Sequence, residues 1–491
     1  MTKKIIVIGG GFGGLAVANR LAAKGHEVHL YEKRDKLGGR GYQYEINGFK
    51  FDGGPTVMTA PYIFDEIFQA AGRKREDYFK LVPLDPFYRL FTPDGRSFDY
   101  RHRHEDMIRE IEKWNPADVK GYNKFVEQTR KMFNLFHPYT DQPFLEFKKM
   151  LKIMPGVMRL QGQLSTHTFV SRYIKDEYLR RFFSFHPLLV GGSPFKTPAL
   201  YTLIVQFEKQ WGVHYAIGGT GSVVEGLGRL FQELGGKVYL ETEVKEILVK
   251  GRKVTGVRLA DGSKEDADII VCNGDVAYSY RYLIPEQYRK KYTNRFIDKM
   301  KYSMSLVVIY FGTKRRYLDS KLAHHNIMFA QRYKGLLKDI TTGNRLPEDF
   351  SLYLHMPTIT DESIAPKGCE SFYVLSLVST LRANINWQTE IEPYKEKILK
   401  YLEDHYLPDL RANIIALHHI DPPHFESTLN SYLGAAFAVQ PSLLQSGYWR
   451  PHNKSEEFDN LYFVGAGTHP GAGVPAVLSS GKIAAELIDP S

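Results

Sequence analysis

The sequence predicts an α/β fold in which a Rossmann-like domain is split into separated parts and interleaved with a second domain. Three observations predict it. An apolar strand runs into a glycine-rich turn and a helix at the start of the chain. An acidic residue follows at the end of the next strand, about 20 residues beyond the glycines. A further strand, glycine loop and helix then stand at the far end, at 461–488, with a long middle region that the first motif does not account for.

Ile5 to Ile8 form the first strand and lead into Gly9-Gly10-Gly11-Phe12-Gly13-Gly14. In this setting Gly9 permits a tight turn, Gly11 lets a pyrophosphate approach the backbone and Gly14 allows close packing of helix on strand. The helix N-terminus, with Phe12 and Gly13, faces the phosphates. Leu15, Ala18, Leu21 and Ala22 share one helical face, and the helix stops near Gly25, which suits a left-handed C-terminal cap. The second strand runs from His26 to Glu32, where Glu32 is placed to accept hydrogen bonds from an adenosine ribose, with Lys33 beside it in the same site. NAD and FAD both satisfy that geometry.

Composition sets outer bounds. A chain of 491 residues suggests two or three domains. No stretch approaches the roughly 18 to 20 apolar residues that span a bilayer. Met1-Thr2-Lys3-Lys4 passes directly into the first strand, which predicts no secretory signal and a cytoplasmic location. Cys272 and Cys369 are far apart and without neighbouring ligand residues, so neither a disulfide framework nor a metal site is expected. The net charge is +10, but the basic residues are scattered and no nucleic-acid motif accompanies them. An anionic membrane surface is the better partner.

Further along, Gly218-Gly219-Thr220-Gly221-Ser222 precedes a helix to Leu234, and a strand pattern from Lys237 to Leu240 continues through Val244 and Ile247. Val254 to Leu259, the Asp261-Gly262 turn and Ala267 to Val271 predict a hairpin, since Asp-Gly supplies the backbone angles a tight turn needs. Near the end, Leu461 to Val464 reads as a buried strand entering Gly465-Ala466-Gly467-Thr468-His469-Pro470-Gly471-Ala472-Gly473. Val474 to Ile488 reads as a helix with Pro475 in its first turn. Gly465, Ala466, Gly467, Gly473 and Val474 are the cofactor-binding candidates of this segment, through backbone amides at the loop and helix start.

The middle segments are rich in aromatic and aliphatic residues, most densely from Phe182 to Gly192, which predicts either a core or an apolar channel. Phe144 to Leu160 places Phe144, Phe147, Met150, Leu151, Met154, Val157 and Met158 at helical spacings, with Lys148, Lys149, Lys152 and Arg159 between them. Such a stripe suits a helix lying on a membrane or packed on the rest of the domain, and Pro155 predicts a break or kink.

Asp35-Lys36-Leu37-Gly38-Gly39-Arg40 and Phe51-Asp52-Gly53-Gly54-Pro55-Thr56 resemble segments of the flavin amine oxidase and carotenoid desaturase superfamily. That resemblance implies FAD rather than NAD, a domain of the glutathione-reductase/amine-oxidase type, and a cofactor site that includes Gly39, Arg40, Gly54, Pro55 and Thr56. It also sets Val244 against the adenine. Phe182 to Phe195, Tyr201-Thr202-Leu203-Ile204, Trp211-Gly212-Val213, Ser351 to His355 and the Gly465 to Pro475 loop together resemble the bacterial phytoene desaturases over essentially the whole chain.

The resemblance implies FAD-dependent desaturation of phytoene towards lycopene or neurosporene, by allylic hydride transfer to flavin and then proton loss. A substrate that resides in the bilayer implies a peripheral site on the inner face of the membrane, and the sequence shows no second strand-GxGxxG-helix unit for a nicotinamide cofactor, which leaves oxygen or a quinone as electron acceptor. FAD-binding parts at 1–79, 211–299 and 431–491 would alternate with substrate and membrane-associating parts at 80–210 and 300–430. His186, His355 and His469 are candidates for the catalytic base only because they lie in family-like segments. The number of desaturation steps, a C30 diapophytoene substrate, a later carotenoid step, an isomerase and a non-catalytic prenyl-lipid carrier stay open.

Overall fold

The computed structural model describes residues 1–343 and 345–490. A five-stranded parallel sheet has the order Lys237–Tyr239, Glu27–Tyr31, Lys4–Ile8, Ile269–Cys272, Leu461–Phe463, so strands from the beginning, middle and end of the chain lie side by side. Ile5, Ile6 and Val7 are all buried, as a parallel strand covered on both faces requires. Ile5 and Val7 share a core with the helices Phe12–Ala23, Thr220–Glu233 and Val474–Ile488. Ile6 and Ile8 face the other way, onto a core that includes Ile247 and Val257 of a three-stranded antiparallel sheet.

Glycine permits the tightest helix contact. A Cβ on Gly481 would lie 2.7 Å from the Ala16 Cβ, so the first and last helices of this layer close on each other only because that atom is missing.

Three local expectations are corrected. The strand from Lys237 does not continue through Val244: Lys237–Tyr239 ends in the parallel sheet, the chain turns at Glu241 with φ of 50°, and Val244–Lys250 starts the antiparallel sheet. After the Asp261-Gly262 turn, Lys253–Leu259 pairs with Lys264–Asp266, while Ile269–Cys272 leaves for the parallel sheet. Its apolar run is that of a central parallel strand, a pattern a hairpin strand can imitate. Helix Phe147–Arg159 runs through Pro155 without ending. The carbonyl that loses its partner belongs to Leu151, whose residue is exposed, so water is at hand to replace the missing amide.

The second sheet has seven strands in the order Ile414–Ile420, Ser305–Thr313, Glu370–Val378, Leu352–His355, His325–Met328, Tyr88–Phe91, Ser97–Tyr100. Helices Val119–Phe136, Glu177–Ser184 and Leu203–Trp211 contribute to one core with this sheet, and Phe147–Arg159 packs Met150, Ile153 and Val157 beside Leu135 and Phe136. Phe182 and Phe183 are fully buried in the shared aromatic core with Phe98, Tyr122 and Phe125. Phe185, Leu188, Leu189 and Val190, a few residues on, instead line a cavity, so the dense apolar run is partly core and partly chamber wall. Among the described residues, no helix is long and apolar enough to cross a membrane.

Candidate cofactor and substrate cavity

All five parallel strands deliver their carboxyl ends to one cavity of about 550 Å³. Gly9, Gly11, Phe12 and Gly13 follow the first strand, Glu32, Lys33 and Arg34 the second, Thr242 and Val244 the third, Asn273 and Asp275 the fourth, and Gly465 and Ala466 the fifth. That end of an open parallel sheet is where ligands bind, because the strand order leaves a crevice between the loops. Gly39, Arg40, Gly54, Pro55, Thr56, His469, Gly473 and Val474 line the same cavity.

The glycine turn is built by two separate requirements. Gly9 has φ of 94°, a left-handed conformation that favours glycine. A Cβ on Gly14 would stand 2.1 Å from the Gly9 carbonyl oxygen, so Gly14 packs helix onto strand and does not itself reach the cavity. Gly467 is also outside the wall, where its added Cβ would meet Val276 Cγ1 at 2.8 Å.

Glu32 is buried, and both carboxylate oxygens accept backbone hydrogen bonds: Oε2 from Gly10 N at 2.8 Å and Oε1 from Arg34 N at 3.0 Å. The acid therefore orders the turn before any ligand meets it. The Lys33 ammonium donates to Asn430 Oδ1 at 2.7 Å and to Ser427 O at 2.9 Å, pinning a distant loop over this corner.

Arg40 and Asp275 are the charged pair of the central section. Arg40 Nη2 donates to Ser431 Oγ at 2.6 Å, but its Nε has no partner. Asp275 Oδ1 accepts from the amides of Ala277 and Tyr278 at 2.9 and 3.1 Å, leaving Oδ2 without one. Burial pulls the guanidinium pKa down and pushes the carboxyl up, and each charge opposes the shift of the other. A buried donor and a buried acceptor left open at the rim of a glycine cradle fit a ligand that carries phosphate and hydroxyl groups.

Tyrosines fix the Gly53–Thr56 loop. Tyr310 OH donates to Gly53 O and Tyr373 OH to Gly54 O, each at 3.1 Å, and Thr56 Oγ1 lies 2.6 Å from Tyr373 OH and 3.0 Å from Tyr353 OH. The Gly465–Gly473 loop is held from beneath by Arg450, fully buried, whose guanidinium donates to the carbonyls of Ala466, Thr468, Val439 and Gln445.

Beyond these loops the wall turns apolar: Met150, Met154, Val157, Leu188, Leu200, Ile204, Phe207, Ile327 and Leu377. Of the three histidines, only His469 reaches the cavity. Its Nε2 donates to Tyr139 O at 2.9 Å, and burial lowers its pKa to about 4. His355 sits outside the wall in a buried cluster, its Nε2 3.0 Å from His324 Nε2. His186 also lies outside the wall and contacts Glu208 Oε2 at 3.0 Å.

Asn273, Asp275 and Glu208 are lining residues that sequence reasoning missed. Asn273 Nδ2 donates to Gly9 O at 3.2 Å, and a Cβ on Gly13 would meet Asn273 Oδ1 at 2.6 Å. Reading Ile269–Cys272 as a parallel strand would have marked the Asn-Gly-Asp that follows it as a strand-end loop.

Fold and cavity together define a dinucleotide-binding protein with an attached apolar chamber. The family of flavin containing amine oxidoreductases matches residues 12–489, and the chain belongs to that family. FAD is the cofactor of this fold. The chain is 44% identical over 488 residues to a phytoene desaturase (lycopene-forming) of Pseudescherichia vulneris, covering 99% of each chain. It is 39% identical over 490 residues to a phytoene desaturase (neurosporene-forming) of Rhodobacter capsulatus, covering 99% of this chain and 94% of that one. The solved cyclohexylamine oxidase of Brevibacterium oxydans shares the fold, with a TM-score of 0.63, 15% identity and 99% of each chain covered.

Proposed function

We propose that this protein is an FAD-dependent desaturase that introduces double bonds into phytoene, towards lycopene or neurosporene. The observation that carries the reading is the continuity of one cavity, from the loops at the strand ends into a chamber walled by Leu, Ile, Met and Phe. The identity to lycopene- and neurosporene-forming relatives over nearly the whole chain supports it. An amine substrate fits less well, because the chamber offers few polar groups to hold it.

FAD, when bound, supplies a two-electron oxidant able to accept a hydride from an allylic carbon. The chain's own residues bind and orient. Gly11, Gly13, Arg40, Asn273 and Asp275 would receive the phosphates and the polar linker, Glu32 and Val244 the adenosine, and Gly54 to Thr56 and Gly473-Val474 the ring end. A hydrocarbon has no heteroatom to grip, so the chamber orients by shape and excludes water. We assign cofactor binding to 1–79, 211–299 and 431–491, and substrate binding to 80–210 and 300–430.

Substrate access is proposed at helix Phe147–Arg159. Met150, Met154 and Val157 line the cavity, while Phe147, Leu151 and Met158 are exposed beside Lys148, Lys152 and Arg159. One helix thus has an inner face on the chamber and an outer face suited to an anionic bilayer. Leu444, 70% exposed, and Trp449 add apolar surface, and the Phe147 ring meets that of Trp449. A polyene moving from bilayer to chamber avoids the roughly 0.8 kcal/mol per CH2 that passage through water would cost. Peripheral attachment to the cytoplasmic face, and oxygen or a quinone as acceptor, complete the proposal.

Expression in cells that accumulate phytoene, followed by pigment chromatography, tests it. Lycopene or neurosporene should appear; unchanged phytoene beside soluble, yellow protein would refute it.

A further inference from the structure

We propose that Glu208 is the proton acceptor of the desaturation, an assignment that rests on the function proposed above. Glu208 belongs to helix Leu203–Trp211, is fully buried, and lines the cavity among apolar neighbours such as Ile204, Phe207 and Phe185. The cavity's other carboxylates, Glu32, Glu243 and Asp275, stand in the loops at the strand ends. Among the described residues, Glu208 is the one carboxylate in the chamber wall away from those loops.

A hydrocarbon substrate offers nothing for a carboxylate to hydrogen-bond, so binding does not explain an acid in that wall. Its surroundings hold it ready for chemistry instead. Tyr88 OH donates to Oε1 at 2.8 Å, and burial keeps the phenol protonated by raising its pKa far above the ordinary value. Oε2 lies 3.0 Å from His186 Nε2, and His186 is itself buried behind the wall. Two residues therefore fix the carboxylate in place, and neither of them is itself part of the cavity wall. His186 is a positioning residue, and the group it positions is Glu208.

The step balances. Once hydride removal has left an allylic cation, a C–H bond on the neighbouring carbon breaks, its electron pair becomes the new C=C bond, and the proton passes to the Glu208 carboxylate. Cation and carboxylate are neutralised together. Before that transfer the carboxylate also stabilises the cation, in an apolar wall where charges are weakly screened.

The test compares wild type, Glu208→Gln and Glu208→Asp as flavin-loaded enzymes acting on phytoene in liposomes. Flavin content and polyene binding, read by tryptophan quenching, are measured alongside. Glu208→Gln should lower kcat by about 100- to 10,000-fold, the usual range for loss of a general base, with KM, flavin content and polyene binding near wild type. Glu208→Asp, which keeps the charge, should recover part of the rate, and it decides the matter if the Gln variant does not fold. A Gln variant within about threefold of wild-type kcat would overturn the assignment. So would an Asp variant as slow as the Gln variant, or a loss of polyene binding that accounts for the loss of rate. If wild type leaves phytoene unchanged, the functional reading fails first and this one with it.

Discussion

Glu32 Oε2 accepts a hydrogen bond from the Gly10 amide across 2.8 Å, so the acid at the end of one strand secures the glycine turn at the end of its neighbour. The bond gives Glu32 work in the empty protein as well as with cofactor. Glu32→Ala should therefore destabilise the apoprotein by about 1–3 kcal/mol, the cost of stranding a buried amide, and weaken FAD binding too. Glu32→Gln keeps an acceptor for Gly10 and should recover part of the stability. Urea unfolding with and without FAD separates the two effects; an apoprotein indifferent to Glu32→Ala would contradict the structural half.

Two glycines should respond very differently to one added methyl. Gly14→Ala would place a Cβ 2.1 Å from the Gly9 carbonyl oxygen, with backbone on both sides of the clash. Loss of soluble, flavin-binding protein is expected. Gly25 has nothing within 4 Å of an added Cβ, and only its φ of 83° opposes alanine. Gly25→Ala should cost about 1–2 kcal/mol and leave FAD binding intact. Thermal unfolding and flavin absorbance of the two purified variants check the contrast.

Charge reversal on the outer face of Phe147–Arg159 should release the protein from anionic vesicles. Each cation near such a surface contributes about 1 kcal/mol, so Lys148→Glu, Lys152→Glu and Arg159→Glu combined should weaken binding by at least roughly 100-fold. Leu151, 56% exposed, supplies the apolar arm of the same experiment: Leu151→Asp should also reduce binding, including to neutral vesicles. Sedimentation with liposomes is the measurement, and undiminished binding by the triple variant would remove this helix as the docking face.

Acid should destabilise the folded state. Burial lowers the pKa of His469 to about 4 and that of His324 to about 3, from an ordinary 6.5. Between those values the unfolded chain binds more protons than the folded one, so stability falls as pH drops from about 6.5 towards 4. Each such histidine contributes up to about 1.4 kcal/mol for each pH unit in that window. Urea midpoints at pH 7.5, 6.5 and 5.5 should fall in that order. His469→Gln, which can still donate to Tyr139 O, should flatten the slope.

What the sequence made legible was local. The strand, glycine turn and helix at Ile5–Gly25, and the loop and helix after Leu461, are runs of neighbours whose spacing carries the geometry. Glu208 was opaque for the opposite reason. Within Val205-Gln206-Phe207-Glu208 it reads as an ordinary helical acid, and its place emerges only when Tyr88, 120 residues away, and His186 close around it. Asn273 and Asp275 were hidden by pairing: Ile269–Cys272 has the composition of a hairpin strand, and its neighbours Lys4–Ile8 and Leu461–Phe463 are supplied from opposite ends of the chain. Pro155 shows a local rule overridden, since the exposed side of a helix tolerates a missing amide.

Helix Val474–Ile488 shares a core with helix Phe12–Ala23, and strand Leu461–Phe463 completes the sheet beside Ile269–Cys272, so elements far apart in the sequence impose an order on biogenesis. At about 5–20 residues per second, the ribosome keeps the first strand waiting for on the order of a minute before its sheet can be finished. Until then the edge of Ile269–Cys272 stands open and greasy, an invitation to chaperones or to aggregation. Flavin capture should accordingly wait until residues 461–488 have been made, and a nascent chain arrested before them should emerge colourless however much cofactor the cell supplies.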